Sequence, residues 1–159
     1  MHVQKNSKKL FEEKHEEQFI NMKEGKVMTN KQVVIDFFTK GYNENDYDSV
    51  EKLLCENYYD HSPACARSSA DAINILKIVE NSFPDMNVEV IDLIEENSKV
   101  VGQFKFSATH STDYMGVKAT NKMIEWESIE IFRIKDGKII ESWGYWPDSE
   151  IKDKLEKLL

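Results

Sequence analysis

Apolar residues recur three and four positions apart from Thr29 to Pro84 and at alternate positions beyond it, so the pattern predicts helices first and strands afterwards. Thr29 or Asn30 can cap a first helix whose buried face is Val33, Val34, Phe37 and Phe38, with Gly41 as its stop. Asp46 opens a second helix over Val50, Leu53 and Leu54, and an aromatic segment, YYDHSPACA, follows it. Ser68 and Asp71 have capping-box spacing and start a third helix, with Ile73, Leu76, Val79 and Phe83 on one face and Pro84 closing it. Strands are predicted over Met86–Glu95, Lys99–Thr109, Met123–Ile134 and Lys138–Trp146. Glu96-Asn97-Ser98 and Asp136-Gly137 supply turns, residues 111–121 a longer loop, and SEIKDKLEKLL a closing helix. Three N-terminal helices on one side of a curved, mainly antiparallel sheet make an α+β domain, and a curled sheet roofed by helices leaves a conical cavity.

The stretch IFRIKDGKIIESWGYWPD carries more aromatic surface than a plain strand needs. Trp143 and Tyr145 share one face of the last strand and Trp146 takes the other. A two-residue turn at Asp136-Gly137 would pair Trp143 with Glu130, whereas a type I turn with a glycine bulge puts Glu127 on the Trp143 face. The bulge is favoured, because it gathers Ile129, Ile131, Ile139, Trp143 and Tyr145 on one face and leaves Trp126, Phe132 and Trp146 on the other. The first set is read as the wall of a pocket for a small hydrophobic ligand. Two apolar faces on one hairpin also predict that the outer face is covered, by a second copy packed sheet to sheet.

The 159 residues, 40% of them hydrophobic, suit one domain with one core, taken as residues 28–159. Residues 1–27 read as an extension, rich in Lys and Glu, with a helix over about 8–22 whose apolar stripe is thin. Lys23-Glu24-Gly25 can be encoded by a ribosome-binding sequence, which makes Met28 an alternative start. A formal charge of −8 argues against nucleic acid as partner. No apolar run reaches membrane-spanning length, the N-terminus lacks a secretion signal, and Cys55 and Cys65 follow no metal-ligand spacing, so a reduced, cytoplasmic protein is expected.

Tyr59-Asp60-His61-Ser62-Pro63, Phe83-Pro84-Asp85, Ala108-Thr109-His110, Asp136-Gly137-Lys138-Ile139 and Glu141-Ser142-Trp143, in this order, resemble the SnoaL-like polyketide cyclases, often called ester cyclases, of the NTF2-like superfamily. The resemblance covers about residues 30–150 and implies a cone-shaped α+β barrel without cofactor or metal. It also implies acid–base chemistry next to a carbonyl, as in cyclisation, isomerisation or dehydration. The family's aspartate, four residues after the Trp, is replaced here by Pro147, with Asp148 one place further on. Candidate acid–base residues are Asp148, His61 and His110, the histidines because imidazole exchanges protons near neutrality. Tyr59, Phe104, Phe106, Glu127, Trp143 and Tyr145 are the candidate ligand contacts. Hydrogen-bonded structural histidines and a solvated Asp148 are the plainer alternative. It would leave a binding protein for a small hydrophobic ligand, or an interaction protein using its outer sheet face.

Overall fold

The computed structural model describes residues 28–159; the extension over 1–27 and the alternative start lie outside the described residues. The order is α1 (Asn30–Phe38), a π-helical turn (Thr39–Asn43), α2 (Tyr47–Leu53), β1 (Leu54–Asp60), α3 (Ser69–Ser82), β2 (Asn87–Glu96), β3 (Lys99–Thr109), β4 (Met123–Lys135), β5 (Lys138–Tyr145) and α4 (Asp148–Glu156). The five strands form one sheet, β1-β5-β4-β3-β2, which is open and antiparallel except where β1 runs parallel to β5. The expected α+β architecture is therefore present, with helices over one face of the sheet.

The caps work as the sequence implies. Thr29 Oγ1 accepts the Gln32 N–H (3.2 Å), Asp46 Oδ1 that of Ser49 (3.1 Å) and Ser68 Oγ that of Asp71 (3.1 Å). Gly41 does not stop the first helix, which continues as the π-helical turn. A Cβ at Gly41 would lie 3.2 Å from Leu76 Cδ1 and 3.4 Å from Val50 Cγ2, so its role is to let this turn meet α2 and α3. Strand β1 has no counterpart in the sequence reading, which ran Leu54 into α2. It is short, and its partner β5 lies some 80 residues away, so no local hairpin signal marks it.

Along β3 and β4 alternation turns Val100, Phe104, Phe106 and Ala108, then Ile124, Trp126, Ser128, Glu130, Phe132 and Ile134, toward the helices. Phe38 stacks on Phe104 with 3.8 Å between ring centroids, and Phe106 lies parallel to Trp126 at 5.4 Å. Asp136 (φ 53°) and Gly137 (φ 74°) make a two-residue turn with both residues left-handed, and the extra residue falls at Ile140 instead. Trp143 thus pairs with Ile131, and Glu127 shares its face, by a different turn from the one expected. Ile139, opposite Ile134, belongs to the inner face.

Candidate functional site

Between α3, the π-helical turn and the β1–β5–β4 part of the sheet lies a cavity of about 460 Å³. Phe37, Ile75, Leu76 and Val79 give it an apolar helical wall. Its sheet wall is different. Tyr58 and Asp60 of β1, Ser142 and Gly144 of β5, and Glu130 and Phe132 of β4 point inward by strand alternation, and Trp146 follows just beyond β5. His61, Ser62, Pro63, Ala64, Tyr145 and Asp148 form the more exposed rim.

Glu130 is the most perturbed acid of this wall. It is 8% exposed, and its Oε1 accepts hydrogen bonds from Trp146 Nε1 (2.8 Å) and Ser128 Oγ (3.3 Å), while Oε2 has no protein donor among the described residues. Among the described residues no basic side chain pairs with it. Loss of hydration therefore pushes its pKa up to about 7, and the negative Asp60 nearby adds to the rise against the pull of the Trp146 and Ser128 bonds. Asp60 is saturated instead: Oδ1 accepts from the Ser62 N–H (2.8 Å) and Ser142 Oγ (3.3 Å), and Oδ2 from Ser62 Oγ. Ser142 is in turn bonded to the Tyr58 hydroxyl. Burial, followed by the charge of Glu130, drives the Tyr42 phenol well above its usual range, and burial followed by Asp148 raises Tyr114. Neither of these two hydroxyls has a hydrogen-bond partner among the described residues, so both are protonated donors free to meet a ligand.

The residues singled out from sequence are distributed differently. His61 and Asp148 stand at the rim. The His61 ring lies flat on Trp143 (4.5 Å, 5°), with Nε2 3.6 Å from Glu141 Oε1. Asp148 is exposed in the first turn of α4. His110 is fully buried and does not line the cavity; its Nδ1 accepts the Thr120 N–H (3.3 Å), its ring leans on Phe83, and burial lowers its pKa. Phe104 and Phe106 are core residues beneath the cavity. Tyr59 lies outward under Arg67, whose guanidinium carbon is 3.9 Å from its ring centroid. Glu127 is on the solvent face, bonded by Gln103 Nε2 (3.0 Å). Trp143 and Tyr145 border the cavity, but their register with Ile131 and Ile129 places their side chains in the outer row.

The pocket therefore uses the opposite face of the last hairpin from the one expected, and Glu130, Asp60, Tyr58, Tyr42, Tyr114, Ser142 and Trp146 were not foreseen in it. The signal that finds Glu130 is the β3 register: Phe106 pairs with Trp126 and Phe104 with Ser128, which commits that face of β4 to the interior. Among the described residues, no three His, Cys, Asp or Glu side chains gather as a metal set. None of the described helices is long and apolar enough to cross a membrane.

A sequence profile described as SnoaL-like polyketide cyclase matches residues 32–155. No curated protein matches the chain. Among solved structures, AclR from Streptomyces galilaeus, described as a candidate hydroxylase, is 26% identical over 82% of this chain and 97% of its own, with a TM-score of 0.71. IdmH from Streptomyces antibioticus, a candidate polyketide cyclase, is 21% identical over 81% of this chain and 99% of its own, with a TM-score of 0.74. A candidate polyketide cyclase from Bacillus cereus is 21% identical over 79% of this chain and 78% of its own, with a TM-score of 0.67.

Proposed function

The chain belongs to the SnoaL-like polyketide cyclase family, and from that premise we propose that it binds a small, largely apolar molecule in the cavity and performs cofactor-free acid–base chemistry beside a carbonyl, with Glu130 moving the proton. The observation that carries this reading is a carboxyl group held near pKa 7 in the cavity wall, with one oxygen free. In its ionised form Glu130 removes a proton from the carbon next to the carbonyl, and the C–H electron pair passes into the carbonyl as an enolate. The enolate then takes the proton back at another carbon, which is isomerisation. Alternatively it attacks a second carbonyl of the same molecule, forming a C–C bond, and Glu130 returns the proton to the new alkoxide. The Tyr42 and Tyr114 hydroxyls, kept protonated by burial, are the donors for the developing oxyanion. His61 and Asp148 act from the rim on the solvent end of the ligand, and His110 serves packing.

The test is deuterium uptake. Small enolisable ketones, cyclohexane-1,3-dione and acetophenone among them, are incubated with the protein in D₂O and followed by proton NMR. The wild-type chain should exchange α-protons of at least one ketone about 100-fold faster than Glu130→Gln, the usual worth of a positioned general base. Equal rates for the two proteins would end the enzymatic reading and leave a binding protein. We also propose a homodimer through the outer sheet face, because Ile94, Val101, Ile131 and Trp143 form one apolar row in direct register across β2, β3, β4 and β5.

A further inference from the structure

Resting on the cavity described above, we infer that its natural ligand carries a positive charge, a protonated amine or quaternary ammonium, on an apolar body. Among the described residues, three carboxyl groups line the cavity, those of Asp60, Glu130 and Asp148, and no lysine or arginine does. His61 is the one basic residue of the described lining, at the rim and turned onto Trp143. The other buried or half-buried carboxylates among the described residues have cations or hydrogen bonds to answer them: Glu141, outside the cavity, has Arg133 at 3.2 Å, and within it both oxygens of Asp60 are saturated. Glu130 is more than nine-tenths buried, with Oε2 unanswered. A buried carboxyl without a counter-ion gives up its charge, and a ligand that brings the counter-ion restores it.

Gly144 lies beside that oxygen: a Cβ there would sit in ordinary contact with Oε2, at 3.5 Å, so the backbone of β5 leaves this side of the carboxyl bare. Tyr42, Tyr58, Tyr114 and Trp146 surround the same space. Phenol and indole faces attract organic cations, more strongly once water is displaced. An anionic ligand, a carboxylate or phosphate, would instead meet like charge at Asp60, with His61 at the rim as the one basic group among the described lining residues. The chain's formal charge of −8 also favours the approach of cations. The groups that bear on Glu130 are Asp60 and Tyr58 from β1, Tyr42 from the π-helical turn, Ser128 on its own strand and Trp146 beyond β5, none of them cationic. A bound ammonium would keep Glu130 ionised, the form that proton removal from a carbonyl compound requires.

Three probes of one shape decide it: 2-phenylethylamine, 2-phenylethanol and 3-phenylpropanoate, titrated while the Trp146 indole N–H is followed by ¹H–¹⁵N NMR. The amine should bind at least about tenfold more tightly than the alcohol at pH 8, and the carboxylate should not bind. Between pH 8 and pH 6 the amine's Kd should weaken about tenfold, since Glu130 must lose its proton first, while the alcohol's changes little. Glu130→Gln should abolish the preference. Alcohol binding as tight as the amine's, or a preference that ignores pH, overturns the inference and leaves the cavity as a small-molecule site. Failure of every probe to move Trp146 overturns both. The amine–alcohol comparison in the wild-type chain decides by itself if Glu130→Gln fails to fold.

Discussion

Glu130 holds a carboxyl group where its charge has no cationic partner among the described residues, and that has a consequence for stability. Its pKa rises from an ordinary 4.5 to about 7 on folding. Between these values the folded chain keeps a proton that the unfolded chain has released, so stability falls as pH climbs through this window and the penalty is complete above about 7. The shift corresponds to about 3 kcal/mol. Glu130→Gln keeps an acceptor for Trp146 and has nothing to ionise. Its melting temperature should therefore exceed that of the wild type at pH 8 and match it near pH 4.5. A difference that stays constant over this range would mean that Glu130 is ionised and satisfied in the folded chain. The residue was hidden in the sequence because a glutamate between Ile129 and Ile131 reads equally well as the polar face of a strand. Only the commitment of Trp126 and Phe132 to the core turns it inward, and that commitment comes from β3, more than twenty residues away.

The helices and the β2–β5 meander follow from local signals: side-chain caps, a change of period after Pro84, and two turns with left-handed Asn97 and Asp136. What local signals miss is what distant strands decide, as with β1 and the choice between the two apolar faces of the β4–β5 hairpin. Gly102 is a further case. Within β3 a glycine looks like a weak point, yet a Cβ there would lie 2.2 Å from Phe104 Cζ and 2.8 Å from Leu93 Cδ2. The Phe104 ring folds over the bare glycine so that it can stack on Phe38. Gly102→Ala, harmless by strand propensity, should cost about 1–3 kcal/mol from overpacking. Most of that cost should vanish in a Phe104→Leu background, measured as a double-mutant cycle in urea. If the two substitutions add without coupling, the ring does not depend on the missing side chain.

Taken whole, the sheet separates two kinds of aromatic surface. The inner one frames the cavity, and the outer one faces solvent in this single chain: Ile94 is 64% exposed, Ile129 46% and Tyr145 63%, beside Val101, Ile131 and Trp143. Around the row stand charges of both signs, Lys99 and Arg133 against Glu141 and Glu127, and Lys99 and Arg133 also lie over the Trp143 ring. A patch that mixes apolar rows with both signs can pair with itself about a two-fold axis, each cation meeting the other copy's carboxylate. Sedimentation equilibrium should therefore find a dimer at micromolar concentration. Ile129→Lys combined with Ile94→Lys should bring it to monomer while leaving the Glu130 titration unchanged, since both side chains lie on the outer face and neither lines the cavity. A wild-type monomer at these concentrations would sink the pairing. A monomer that binds a different protein through this face would mean that the outer row serves a hetero-partner, and the cavity would then work on its own in each chain.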